Sequence, residues 1–478
     1  MVSKKISVLK NKQNIYSSFR DPAGFVFKYN NNLYRQINYQ GKDNYDMLMD
    51  SGLYNALTKK KLIIPHTECI INSKKSTFQK TIHSFNNENR PYKIIKPEQI
   101  PFISYPYEWC FSQLNKAALT TLEIQKTALD FNMSLKDSSA YNIQFVNNSP
   151  VLIDTLSFEK YDDGKPWAAY SQFCRHFLAP LALMNYKNIN LNQLLRIYLD
   201  GIPLSLCANL LPLRSYMSFS ILVNIIFHSK TDKILALKNI RTKKVSKHSL
   251  LGLIDSMESS IKKMANKPMK SEWTDYYNNL EYPADSFNQK KKIISDLLDK
   301  IKANTLWDIG ANTGLFSRIA SDKGFQTVSI DSDSYSIEKN YKECINNKSK
   351  NILPLCIDIN NPSPNIGWNN AERLSLADRG PADVILALAL IHHLIIGNNL
   401  NFDLIAEFFN KICKWLIIEF VPKEDSQVRQ LLFLRKDIFT DYSENKFKSS
   451  FSKYFTVKSR TIISGTERVI YLMQRKER

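Results

Sequence analysis

The chain has 478 residues, 44% apolar and 12% aromatic, with 65 Lys+Arg against 45 Asp+Glu for a formal net charge of +20. That length exceeds what one hydrophobic core usually serves, so two or three domains are expected, and the composition excludes a disordered or fibrous chain. The start, MVSKKISVLKNKQ, lacks a signal peptide's apolar centre, and the longest apolar stretch, residues 217–227, falls short of the roughly 20 residues of a membrane span.

In chain order, residues 20–185 read as short strands around one long helix. RDPAGFVFKYNNNLYRQIN holds two strand-like runs, FVFKY and LYRQI, about an Asn-rich turn. A basic loop, the segment PFISYPYEWCF and a helix through LNKAALTTLEIQKTALDFN follow. In LKDSSAYNIQFVNNSPVLIDTLSFEKYDDG, Asp137 precedes Asn142 by five residues and a strand leads to Asp154. This order resembles the catalytic loop and metal-binding aspartate of kinase-like phosphotransferases, aminoglycoside kinases included. The resemblance implies an α+β fold in which Asp137 orients an acceptor hydroxyl while Asn142 and Asp154 hold magnesium. Here the chain departs from the pattern. Leu135 replaces the loop's histidine, Thr155-Leu156 follow Asp154 in place of Phe-Gly, and no Gly-rich nucleotide loop or VAIK-like lysine precedes them. Asp137, Asn142 and Asp154 are therefore expected to converge without phosphotransfer. Two other readings stay open: turn, cap and segment-start roles for the three residues, or an unrelated α+β domain that docks the acceptor. Residues 190–270 read as helical, through NLNQLLRIYL, YMSFSILVNIIF and SLLGLIDSMESSIKKM.

From residue 285 the rhythm changes. An amphipathic helix with Ile293, Ile294, Leu297, Leu298 and Ile301 on one face precedes a strand, TLWDIG, a turn, GANTG, and a helix, LFSRIASDKG. Strand, glycine turn and helix together give a Gly-rich motif its meaning: the glycines admit a ligand to the backbone, and the helix start offers free N–H groups. A phosphate-binding P-loop would end in GK[ST], whereas this turn continues Gly314-Leu315-Phe316. FQTVSI ends in Asp331, a carboxylate placed to accept from two ribose hydroxyls. ILPLCI ends in Asp358, and ADVILALAL ends at Ile391-His392-His393-Leu394. Repeated strand–helix units predict a mostly parallel sheet with ligands at the strands' C-terminal ends. The tail completes this pattern with the helix DLIAEFFNKICKW, the strand LIIEFV, the helix VRQLLFLRKDIF and a final hairpin, FTVKSRTII with ERVIYLMQR.

DIGANTG with an acidic residue 17 positions on resembles the first motifs of class I S-adenosylmethionine methyltransferases. The resemblance implies a Rossmann-like sheet with flanking helices, an α/β class, over residues 285–478. It also implies S-adenosyl-L-methionine as cofactor, held by Asp308, Gly310, Asn312 and Gly314 at the turn, by Asp331 at the ribose and by Asp358 near the adenine amine. The fourth motif, ALALIHHL with Ala387, lies beside the transferred methyl. The expected division is an α+β domain over 1–270, a linker over 271–284 and the methyltransferase domain over 285–478.

The fourth motif lacks the [ND]PP[YFW] of base-amine methylation, and none of the seven cysteines follows a proline, as a pyrimidine-carbon nucleophile would. A histidine there, His392 or His393, could act as general base on a hydroxyl, although methyl transfer from sulfonium needs mainly alignment. The long link after Asp358 places Trp368, Glu372 and Arg373 as exposed-type groups for substrate contact, with a plain insertion as the competing view. The scattered cysteines, without a CxxC pair, suit a reducing cytoplasm and argue against a disulfide framework or zinc site; no metal is expected. Positive charge concentrates in the first 100 residues, 17 basic against 7 acidic, and in residues 201–300, 16 against 9. Such segments attract phosphates or an anionic surface. The overall layout resembles bacterial nodulation-type methyltransferases, which implies a carbohydrate or small-metabolite acceptor. An O-methyltransferase of a small molecule or carbohydrate is therefore the leading expectation. The alternatives are an RNA methyltransferase gripping phosphates through its basic segments, and a methyltransferase with a protein-binding front domain.

Overall fold

A computed structural model describes residues 12–14, 18–69, 91–229, 244–264, 284–433 and 436–477. Residues 271–283 of the expected linker, the start of the chain and most of the basic middle segment lie outside them. The chain forms two compact units. The first comprises Met1–Tyr107, Gln113–Lys267 and Asn365–Arg373, and the second Glu108–Ser112, Pro268–Pro364 and Leu374–Arg478.

The first unit carries a five-stranded antiparallel sheet in the order β1-β2-β3-β5-β4. Its strands are β1 (Lys12–Asn14), β2 (Gly24–Tyr29), β3 (Asn32–Asn38), β4 (His66–Cys69) and β5 (Pro91–Pro97). β2 and β3 are the two runs read around the Asn-rich turn. Asn30 and Asn31 both take positive φ, 46° and 63°, the two-residue turn geometry whose twist matches paired strands. Helices α1 (Lys42–Asp50) and α2 (Leu53–Lys59) follow β3, burying Tyr45 and Leu48 from α1 and Leu53, Tyr54 and Leu57 from α2. Helix α3 (Phe111–Asp130) buries Leu114, Ala117, Ala118, Leu122, Ala128 and Leu129, a helical spacing, and Asn132 turns the chain at φ 55°. Two short hairpins come next: β7 (Ile143–Val146) with β8 (Ser149–Leu152), and β6 (Met133–Leu135) with β9 (Phe158–Lys160). Beyond residue 189 the helices are mostly short pieces broken by turns, ending in α4 (Lys247–Lys263).

The second unit is built on a seven-stranded sheet, β12-β11-β10-β13-β14-β16-β15. β10 (Thr305–Ile309), β11 (Gln326–Asp331), β12 (Ile352–Cys356), β13 (Ala382–Ala387) and β14 (Cys413–Phe420) run parallel. β15 (Phe455–Ile462) and β16 (Val469–Arg475) close it as the antiparallel hairpin read from the sequence. The strands read as near-continuous apolar runs because both faces are covered, as parallel sheets require. Helices α5 (Ala284–Asp299) and α7 (Ser334–Asn346) flank α6 (Leu315–Asp322) in sequence, and α8 (Phe402–Ile412) follows β13. Leu298, Leu306, Phe316, Val384, Leu386, Ile417 and Leu472 share one core cluster. The fold is thus a Rossmann-like methyltransferase sheet accompanied by an α+β unit.

Candidate active site

In the second unit the C-terminal ends of the parallel strands surround a cavity of about 280 Å³, near the lower end of the range for small-molecule sites. From the turn come Asp308, Gly310 and Asn312, from β11 Asp331, from the β12 end Ile357, Asp358, Ile359 and Asn360, and from the β13 end Leu388, Ala389, Leu390, His393 and Leu394. α5 adds Lys290 and α6 adds Phe316.

The glycine turn needs its residue types. Gly310 has φ 78° and Gly314 φ 77°, left-handed conformations that disfavour a side chain. A Cβ on Gly314 would meet the Asn340 side chain at 2.3 Å, so this glycine permits α6 to pack on α7 and does not itself line the cavity. Asn312 also takes positive φ, 50°, and its N–H donates to Asp331 Oδ2 at 2.7 Å. The Asp333 N–H donates to Asp331 Oδ1 at 2.9 Å. Those two bonds fix the carboxylate plane while each oxygen keeps acceptor capacity for hydroxyl donors. Burial raises the Asp331 carboxyl to about 6 despite these amide bonds. Asp308 is raised to about 6 in the same way, and its Oδ2 accepts from Ser317 Oγ at 2.6 Å.

Ala387 is enclosed in β13, and the cavity wall is formed by the three residues after it. The physical reason is the turn at Ala389, whose φ of 48° directs Leu388–Leu390 off the sheet. Of the histidines, His393 lines the cavity and His392 is buried behind it, the rings 4.2 Å apart. Burial, then the Arg468 charge, lowers His393 to about 4, and His392 is also held well below the ordinary range, so both rings are neutral near pH 7.

A charged network escaped the sequence reading. Lys290 Nζ donates to Glu419 Oε2 at 2.6 Å, and the Ala389 N–H donates to the same oxygen at 2.8 Å. Arg468 lies 3.5 Å from Glu419 and donates to both Asp425 oxygens at 2.7 and 2.9 Å. Two buried cations face two carboxylates, so each desolvated charge has a partner. Glu419 closes β14 and was visible only as a strand end, because its partners stand 129 and 49 residues away.

Trp368, Glu372 and Arg373 do not line this cavity and fall in the first unit. The expectation of an exposed Glu372 is corrected. Its side chain is 2% exposed, accepting from Arg20 Nε at 2.6 Å, Arg20 Nη2 at 2.9 Å and the Trp368 N–H at 2.6 Å. Arg373 lies 4.5 Å over the Tyr141 ring, while Trp368 is exposed.

The first unit brings Asp137, Asn142 and Asp154 together. Asp137 accepts from Asn142, and burial, reinforced by the nearby Asp154 charge, raises its carboxyl. Asp154 is engaged by Arg35 of β3, whose Nη1 lies 2.7 Å from Oδ1. On the first strands it is this arginine, not a VAIK-like lysine, that meets the carboxylate. A guanidinium already engages the carboxylate that would face magnesium. As placed, Asp154 would have to release Arg35 before it could take a metal.

A parallel sheet of this order, with a glycine turn, a carboxylate ending the next strand and a cavity at the strand ends, defines a class I methyltransferase fold. The chain belongs to the family of nodulation protein NoeA. It is 31% identical over 483 residues to nodulation protein NoeA of Rhizobium meliloti (strain 1021), covering 99% of both chains. No family model matches it. Among solved structures it is similar to the bifunctional kinase-methyltransferase WbdD (15% identity, TM-score 0.29, 39% of either chain). It is also similar to the N-methyltransferase NodS of Bradyrhizobium japonicum WM9 in complex with S-adenosyl-L-homocysteine (12%, TM-score 0.31, 46% of this chain and 98% of that one). A third is the magnesium protoporphyrin IX methyltransferase of Synechocystis PCC 6803 with bound S-adenosylhomocysteine (12%, TM-score 0.32, 43% and 92%). The chain spans about 40% of the length of the WbdD chains it matches.

Proposed function

We propose that the protein is an S-adenosylmethionine-dependent methyltransferase acting on a hydroxyl of a small-molecule or carbohydrate acceptor. The observation that carries this reading is the convergence of Gly310, Asp331, Asp358 and Leu388–Leu390 on one cavity at the strand ends. The residues fit the cofactor. A glycine free of Cβ leaves room beside Leu390 for the methionine portion, Asp331 offers two oriented oxygens to the ribose hydroxyls, and Ile357 and Ile359 beside Asp358 suit a flat apolar base. When bound, the cofactor supplies an electrophilic sulfonium methyl.

What the chain contributes is placement. Glu419 holds the Ala389 amide and with it the turn that shapes the cavity beside the reacting methyl. His393, kept neutral by burial, is a hydrogen-bond acceptor that orients an acceptor hydroxyl. Its lowered basicity makes it a weak general base near pH 7, so alignment supplies most of the acceleration. The NoeA relationship supports a nodulation-related acceptor class, and small or carbohydrate hydroxyls match the absence of base-methylating motifs. In the first unit, the Arg35–Asp154 pair supports no phosphotransfer. The test is S-adenosylhomocysteine formation by the full chain with hydroxylated small molecules and oligosaccharides. Turnover lost in Asp331→Ala is expected, and absence of S-adenosylmethionine binding by the wild type would overturn the reading.

A further inference from the structure

The strap of residues 365–373 brings to the first unit an arginine that the proposed chemistry does not use. Arg373 is half-buried, its guanidinium 4.5 Å over the Tyr141 ring. Nη1 donates to the Glu372 carbonyl at 3.1 Å, while Nε is buried with no hydrogen-bond partner among the described residues. The carboxylate next to it in sequence is engaged elsewhere: both Glu372 oxygens accept from Arg20, and Oε2 also accepts from the Trp368 N–H. Other arginines drawn into the fold meet carboxylates, Arg35 with Asp154, Arg379 with Glu108 and Arg468 with Asp425. For Arg373 the described residues supply a carbonyl and a ring. Its position is nonetheless fixed. The Arg373 N–H and carbonyl both pair with Ile366 at 3.1 Å, and the Tyr141 hydroxyl donates to the Leu195 carbonyl at 2.9 Å.

A second polar group on the same ring has no partner. His176 packs edge-on against Tyr141, ring centroids 6.1 Å apart, and is 1% exposed. Its Nδ1 is buried without a hydrogen bond. It stands in a π-helical turn, Cys174–Leu178, a type of insertion frequent at functional sites. Burial, then the Arg373 and Arg175 charges, lower the ring to about 3, so it is neutral near pH 7. Each unsatisfied buried group costs desolvation free energy, and two on one ring call for a ligand's atoms. Charge decides which ligand. Arg20, Arg175 and Arg373 interact here with Glu372, His176 and the exposed Asp200. Three guanidiniums against two carboxylates leave one positive charge, which a monoanion balances and a dianion exceeds. The Nε–Nη2 edge of a guanidinium is a planar fork that matches the two oxygens of a carboxylate.

We propose that Arg373, held over Tyr141 with His176 on the same ring, binds the carboxylate of a small ligand in the first unit. This does not rest on the methyltransferase reading. The experiment is titration of the full chain with acetate, followed by saturation-transfer NMR of the acetate methyl, with chloride at equal ionic strength as the control. Wild type is expected to bind acetate, and R373Q to bind it about tenfold more weakly, a charged hydrogen bond's worth. R373K keeps the charge and loses the fork, so it is expected to weaken acetate as well. Inorganic phosphate, a dianion near neutral pH, is expected to displace acetate poorly. A measurement on wild type alone guards against variants that do not fold: acetate should shield Arg373 from phenylglyoxal, read by peptide mass, where chloride does not. Wild type that binds no acetate beyond the chloride control would overturn the proposal, as would equal affinity in R373Q. So would phosphate that binds more tightly than acetate, or Arg373 labelled alike with acetate and with chloride.

Discussion

Asp331 sets the pH behaviour of the cofactor site. Its carboxyl is raised to about 6 by burial, yet it must be ionised to accept best from two hydroxyls. Affinity for S-adenosylmethionine is therefore expected to rise as pH increases from about 5 to 7, which calorimetry on the full chain measures; a flat profile would remove Asp331 from the ribose. Asp331→Ala should weaken binding by about 1.5–3 kcal/mol, the worth of a charged hydrogen bond. Stability runs the other way. For Asp308 and Asp331 the folded value of about 6 lies above the ordinary value of 3.8, so the fold favours their protonated forms. That contribution is complete below about pH 4 and is lost as pH rises through about 6. Asp308→Asn cannot ionise, so the difference in melting temperature between the variant and wild type should shift in the variant's favour from pH 4.5 to 7. The residues of the glycine turn and Asp331 were legible because their partners are local, Asn312 lying 19 positions from Asp331. Glu372 was misread because a lone glutamate in a polar loop is usually solvated, and its partner Arg20 is 352 residues away.

Elements meet at one buried ion pair and one part-buried one. Lys290 on α5 and Glu419 on β14 are 4% and 0% exposed, and removing one partner strands the other charge out of water. Lys290→Met is expected to cost about 3–5 kcal/mol of stability by denaturant melts. A Lys290→Met/Glu419→Gln double variant should recover part of that loss, and additive losses would mean the two do not interact. On β3, Arg35 holds Asp154 across the first unit. Millimolar ATP with magnesium should leave the melting temperature unchanged, and a magnesium-dependent rise would show that the guanidinium moves aside. The order of strands and helices was readable from period and turn chemistry, as the NNN between FVFKY and LYRQI shows. Contacts such as Arg35–Asp154 were not, because strand pairing and tertiary packing, not spacing, bring β3 beside the end of β8.

At the scale of the whole molecule, sequence order and compact units do not coincide. Residues 108–112 belong with the methyltransferase sheet and 365–373 with the α+β unit. In the second unit Glu108 accepts from Arg379 at 2.5 and 2.9 Å and from Ser363 at 2.5 Å, its side chain 1% exposed. A fragment of residues 285–478 lacks Glu108 and leaves Arg379 buried without it. It should therefore melt below the second transition of the full chain or fail to fold, while Glu108→Gln in the full chain should reproduce part of the loss. An equal melting temperature for the fragment would show that residues 108–112 contribute nothing.

The crossing also has a consequence in time. A ribosome releases the chain from its N-terminus, at about 5–20 residues per second, and the first unit's strap of residues 365–373 follows Lys267 by roughly a hundred residues, on the order of 5–20 s. Until that strap arrives, Arg20 has no Glu372 to meet, 352 residues on, and Glu108 waits 271 residues for Arg379. The first unit therefore cannot be finished until much of the second has been made, so it is expected to mature late and not as soon as Lys267 has emerged.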